Sequence, residues 1–340
     1  MRLLKYLFVI PMVLSVEPAL DAQDEGDAKT QFKLAFPLDC TLGKDCWVAR
    51  YGDRKKGKGK ADYMCGKRTQ NKHRGTDFVI NDYGQMHDGV SILAALNGTV
   101  FKIRTNVPDR AVTKETYTET NKIGCGNAVV LKHANGYQTS YCHMQNGSIS
   151  LSVGDRVNKG EKIGSVGLSG LTEYPHLHFE LRKDGTSMDP FDGQRRMIAC
   201  SSEPKSQLWE NDIPYKALTL MPLLFTNKPV NKQSRWQSQP KTISSDAEAL
   251  VLTGRAWNVL AGDSWLFQLI RPDGVKATNR SLKAKKNRQS QWYSNILKKP
   301  ESGFMPGLWR GKLLVIRQHE DGTVDTFKQD SSVLVEAPAR

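Results

Sequence analysis

Short apolar runs dominate the first two thirds of the chain, and none of them holds a helical period. Asp77-Phe78-Val79-Ile80, Gly98-Thr99-Val100-Phe101-Lys102-Ile103 and Ala128-Val129-Val130-Leu131 are each of strand length and are separated by glycine and turn residues. That pattern predicts β-strands from Phe36 to about Phe191. Ala134-Asn135-Gly136 lies between two such runs and predicts a tight hairpin, because Asn-Gly accepts the positive φ that a two-residue turn needs. The first domain is therefore expected to be mostly antiparallel β. Residues 201–246 change character: Pro204, Pro214, Pro222, Pro229 and Pro240 sit among Ser, Gln and Lys, which reads as an irregular connector. From 247 the strand pattern returns. Trp265-Leu266-Phe267-Gln268-Leu269 leads into Arg271-Pro272-Asp273-Gly274, and Trp309 to Arg317 leads into Glu320-Asp321-Gly322-Thr323, which together suggest a small immunoglobulin-like sandwich. No internal repeat joins the halves.

The N-terminus reads differently. Met1 to Lys5 is basic and Tyr6 to Val16 almost wholly apolar, too short to span a bilayer comfortably and suited to a signal peptide over residues 1–22, cleaved after Ala22. An uncleaved anchor is the alternative. No cysteine follows this run before Cys40, which argues against a lipoprotein, and no later stretch reads as a membrane span. The six cysteines all precede residue 201; an even number in an exported chain favours disulfides, and the absence of any CxxC pair argues against a cysteine zinc site. With 340 residues and 39% hydrophobic composition, two domains can each bury a core, and wholesale disorder is excluded. The formal charge of +14 suits an anionic partner. The basic runs at 54–60 and 280–288 carry no accompanying nucleic-acid motif, so they read as solvated loops and a nucleic-acid partner is not expected.

Four of the seven histidines fall in three pieces: His73-Arg74-Gly75-Thr76-Asp77, Tyr141-Cys142-His143 and Pro175-His176-Leu177-His178. A catalytic zinc takes about three imidazole or carboxylate ligands and keeps one position open. A turn or bulge at Gly75 could aim His73 and Asp77 together, and strand alternation would put His176 and His178 on one face with Leu177 and Phe179 packed behind. Each piece alone is weak. His87, His133 and His319 read as a loop residue, a strand residue and a hairpin end; Trp265, Trp292 and Trp309 read as fillers of the second core.

In this order the three pieces resemble the M23 metallopeptidases, the lysostaphin-type cell-wall endopeptidases. HRGTDF at 73–78, SYCHM at 140–144 and PHLHFEL at 175–181 carry the resemblance. The flanking stretches at 92–103, 125–144 and 153–170 extend it over residues 70–190. It implies a small twisted antiparallel β core with a groove walled by loops, within residues 36–200, followed by the connector and an accessory sandwich at 247–340. It implies zinc held by His73, Asp77 and His178, with His143 and His176 polarising water and stabilising the oxyanion. The substrate implied is the stem peptide or cross-link of peptidoglycan, in the periplasm or outside the cell. The accessory domain would then meet the anionic wall or a partner protein. The competing reading is a non-catalytic regulator that binds wall or activates another hydrolase; a third is a peptidase for glycine-rich host or competitor proteins. Two departures stand out. Cys142 replaces the alanine of many relatives and, with Cys125, could bridge the base of the hairpin; the segment Cys40–Cys65 lies outside the common core and could be a groove loop or a latency segment.

Overall fold

In the computed structural model, residues 32–203 and 206–338 are described, and the expected signal peptide falls outside them. The first part runs β1 (Cys46–Arg50), β2 (Thr76–Ile80), α1 (Tyr83–Asp88), β3 (Ser91–Leu93), β4 (Gly98–Arg104), α2 (Tyr117–Ile123), β5 (Asn127–Lys132), β6 (Tyr137–Met144), β7 (Arg156–Val157), β8 (Lys162–Ser165), β9 (His176–Lys183) and β10 (Thr186–Met188). The main sheet has the order β1-β2-β9-β6-β5-β4-β7, with β10 beside β9, and every pairing is antiparallel. The hairpin between β5 and β6 turns on Asn135 and Gly136, at φ 56° and 75°, as its sequence demands. Phe78, Leu177 and Phe179 are fully buried behind the sheet, against Trp209.

The second part runs β11 (Thr219–Leu220), β12 (Leu224–Thr226), β13 (Thr242–Ser244), β14 (Ala249–Val259), β15 (Ser264–Ile270), β16 (Lys276–Lys283), β17 (Arg288–Lys298), β18 (Gly307–Gln318) and β19 (Val324–Glu336). One sheet centres on β14, flanked by β11 and β12 on one edge and β17 on the other; the second has the order β13-β19-β18-β15-β16. The first strand of that sheet, β13, runs parallel to the last, β19, giving an immunoglobulin-like order. Alternation in β15 sends Trp265, Phe267 and Leu269 inward, where they meet Leu250, Leu252, Phe225 and Leu313. Trp309 joins this core, whereas Trp292 stays half-buried beneath the Arg235 guanidinium, 4.1 Å from its ring. The proline-rich stretch 201–246, expected to be a connector, contributes β11, β12 and β13 to the sandwich.

β14 is buried along its whole length because both of its faces are covered. Leu250, Leu252 and Ala256 point into the sandwich. Trp257 instead joins Met221 and Trp236 in a cluster with Trp47, Ala49, Val79 and Tyr174 of the first part. Arg255 reaches across as well, donating to the Asn81 carbonyl and its side-chain oxygen at 2.9 Å each. Three disulfides, Cys40–Cys46, Cys65–Cys200 and Cys125–Cys142, use all six cysteines. No helix among the described residues is long and apolar enough to cross a membrane.

Candidate metal centre

The cluster assembles at the point where β2, β9 and β6 lie side by side. Asp77 on β2 stands opposite His178 on β9, and Cys142 on β6 stands opposite the same His178 from the other side. His176 precedes His178 by two positions and shares its face, while Leu177 and Phe179 are fully buried behind. His73 comes from the turn entering β2. Gly75 sits in that turn because a Cβ there would run into the Phe179 carbonyl and approach His178 Nε2 to 2.9 Å.

His143 needs a second device. The β5–β6 ladder shifts register between Asn127 and Val129, and His143 takes a left-handed φ of 61°. A non-glycine residue in that region is strained and persists where its surroundings fix it. Here the His143 N–H donates to the Cys125 carbonyl at 2.8 Å, next to the Cys125–Cys142 disulfide. The bulge lets Cys142 and His143, consecutive in sequence, both line the same groove.

Three potential ligand atoms converge. His73 Nε2 lies 3.0 Å from Asp77 Oδ1 and 3.1 Å from His178 Nδ1, and His178 Nδ1 lies 2.9 Å from Asp77 Oδ1. His73 Nδ1 donates to the Tyr51 carbonyl at 2.8 Å, which leaves Nε2 with a lone pair in the neutral ring. Lone pairs therefore outnumber protons at this point, and a cation is the natural partner for such a set. The donor types, two imidazoles and one carboxylate, fit zinc. Burial alone would raise the Asp77 carboxyl, but the His73 and His176 imidazoles outweigh it and hold the group well below the usual carboxylate range.

The other two histidines face the same opening with their Nδ1 atoms tied down. His143 Nδ1 donates to the Ser169 carbonyl at 2.8 Å. His176 Nδ1 donates to the Tyr174 carbonyl at 3.0 Å, with the Thr172 hydroxyl at 3.1 Å. Their ring centroids are 4.7 Å apart, and His176 Nε2 lies 3.6 Å from Asp77 Oδ1. Burial, then the nearby His176 and His178 rings, pushes His143 well below the ordinary histidine range, so the ring is neutral near pH 7. All five residues singled out in the sequence thus meet in one place.

Residues that the sequence reading missed complete the surroundings. Arg50 on β1 approaches Asp77 Oδ2 to 3.5 Å, on the side of the carboxylate away from the histidines. Its guanidinium lies 5.6 Å from the Tyr174 ring and 5.8 Å from that of Trp257. Tyr174 stacks on His176 at 4.6 Å and on Trp236 at 5.2 Å. The opening is a groove of about 710 Å³ whose walls include Arg50, Lys72, Arg74, Lys102 and Arg182 against Glu173 and Glu180. His133 and His319 stay outside it, bonded to Thr139 and Asp325 respectively, and His87 lies in the last turn of the short helix α1.

The model of peptidase family M23 matches residues 71–190, the stretch that holds all five site residues. An uncharacterized metalloprotease of Haemophilus influenzae is 30% identical over 35% of this chain and 20% of its own length. The peptidoglycan DD-endopeptidase ShyC of Vibrio cholerae is 34% identical over 35% of this chain and 22% of its own. The chain thus matches about a fifth of the length of these curated relatives. Among solved structures, the catalytic domain of the prophage-encoded M23 protein EnpA from Enterococcus faecalis is 27% identical and covers 41% of this chain and 82% of that one, at a TM-score of 0.28. The β2–β9–β6 platform with its histidines and aspartate is a peptidase family M23 domain.

Proposed function

We propose that the chain is a zinc metalloendopeptidase that cuts peptide bonds in the stem peptides or cross-links of peptidoglycan, acting outside the cytoplasm. The observation that carries this reading is the convergence of His73, Asp77 and His178 within hydrogen-bond distance, beside a buried, neutral His143. Those three residues would hold the metal, and zinc supplies Lewis acidity that activates water and polarises a carbonyl. His143 takes the proton from the attacking water at Nε2, since its Nδ1–H is engaged by Ser169. The resulting imidazolium returns that proton to the leaving amine. His176, held through Nδ1 by Tyr174, presents Nε2 to the same opening and, when protonated, opposes the negative charge that develops on the carbonyl oxygen. The excess of Arg and Lys on the groove walls favours a peptide bearing carboxylates, as stem peptides do. Three disulfides support an oxidising compartment, and the names of the relatives support the wall as substrate.

Zinc content and muropeptide release from purified sacculi test the proposal. Wild type should bind one zinc and release cross-linked fragments, and His178→Ala should lose both. Zinc binding without release from any sacculus would favour the non-catalytic regulator.

A further inference from the structure

A second cavity, of about 330 Å³, lies where the basic loop at 54–67 meets the near ends of β14 and β17. It shares no lining residue with the groove. Lys55, Lys60, Lys67 and Arg288 surround it, and no carboxylate lines it. None of the four forms an ion pair among the described residues. The acids nearest in sequence are already engaged. Asp53 accepts from the backbone N–H groups of Lys55, Ala61 and Lys72, and Asp62 accepts from those of Met64, Gly66 and Arg68 and from the Tyr215 hydroxyl.

The loop is not a loose tail: Cys65 is bonded to Cys200, and its backbone is held by Asp53 and Asp62. Asn258 at φ 59° breaks the alternation of β14 where it lines the cavity.

We propose that this cavity binds a phosphate-bearing group. Four unpaired cations around one space call for a ligand with more than a single negative charge, and lysine suits phosphate as a point charge. The shared chemistry is the phosphate itself, carried by a small soluble ester or by a lipid headgroup, and the site is independent of the hydrolytic reading.

Isothermal titration of the full chain with inorganic pyrophosphate tests it. One molecule should bind per chain, and the Lys60→Ala/Arg288→Ala pair should weaken binding by about tenfold or more. Lys285→Ala/Lys286→Ala removes the same charge from exposed positions outside the cavity and should leave the affinity unchanged. Co-sedimentation with phosphatidylglycerol–phosphatidylcholine vesicles, lost in the Lys60/Arg288 pair alone, would assign the lipid headgroup; pyrophosphate binding without vesicle binding would assign the soluble ester. The proposal is overturned if pyrophosphate does not bind, if the exposed-lysine pair weakens it equally, or if succinate binds as tightly.

Discussion

On the groove face of the first sheet, burial falls on polar side chains: His73, Asp77, His143 and His176 are each less than a tenth exposed. In the sandwich it falls on Leu250, Leu252, Trp265, Phe267 and Val315, packed face to face. Both regions are mainly antiparallel β, and their strands look alike in sequence. What separates them is how far the sheet departs from regular alternation. The sandwich keeps β15 and β18 in uninterrupted register over seven pairs. The site depends on a shifted ladder at β5–β6, a left-handed His143 and a glycine turn at Gly75. Irregular backbone is where polar groups can be gathered and aimed, and regular backbone is where apolar area is buried at lowest cost.

That contrast can be broken in four ways, from the largest effect down. His143→Ala should lower kcat by about 10²–10⁴-fold while zinc content and melting temperature stay near wild type, because it removes a proton acceptor and not a ligand or a core residue. Full activity in that variant would move the base elsewhere. Phe267→Ala should do the reverse. It should cost about 3–5 kcal/mol of stability in denaturant titrations and leave zinc affinity intact in the folded fraction. Loss of zinc in the folded fraction would mean that the sandwich core shapes the site.

Arg50→Ala lies between the two regions. Arg50 touches the outer oxygen of Asp77 and packs near Trp257, so its removal should weaken zinc affinity by about 10–100-fold in chelator competition. An unchanged affinity would show that β2 alone orients the carboxylate.

The fourth effect is a pH slope, small over any one pH unit. Burial, reinforced by the neighbouring Asp192 charge, pushes the Asp189 carboxyl up to about 7. The folded state then holds a proton that the unfolded state releases near its ordinary value of 3.8. Its contribution to stability is therefore greatest at low pH and falls as pH rises through roughly 4 to 7, by at most about 1.4 kcal/mol per unit. Asp189→Asn should flatten that slope in melts taken across this range; an identical slope would place the proton on another group.

The cluster of four histidines and one aspartate was legible in the sequence because each piece is local. His73 and Asp77 are four positions apart across the Gly75 turn into β2, His176 and His178 share a strand face, and short-range spacing carries that information. Arg50 was not legible: its partner Asp77 lies 27 positions away, and an arginine ending a short strand has nothing to mark it. The Tyr51 and Ser169 carbonyls that fix the two ring tautomers are backbone atoms, which no side-chain pattern reports. In the sandwich, the alternation of Trp265, Phe267 and Leu269 announced β15, whereas β11, β12 and β13 are two or three residues long and too short to show a period. The hairpin bridge Cys125–Cys142, raised as a possibility because both cysteines lie at the base of one hairpin, is present; Cys40–Cys46 and Cys65–Cys200 join segments that the motif does not reach.

Tyr174 lies between His176 on one side and Trp236 and Trp257 on the other. In terms of inheritance, the sandwich has given up the freedom of an exchangeable cassette. A tethered binding module can be swapped among wall enzymes at its linker, with the catalytic half unaware of the change. Here a replacement would have to bring its own indoles to the back of Tyr174 and restore the partners of Trp47 and Ala49. The two halves must therefore drift together, and a graft at the proline-rich stretch would fail at the histidine-bearing wall before it failed at the join.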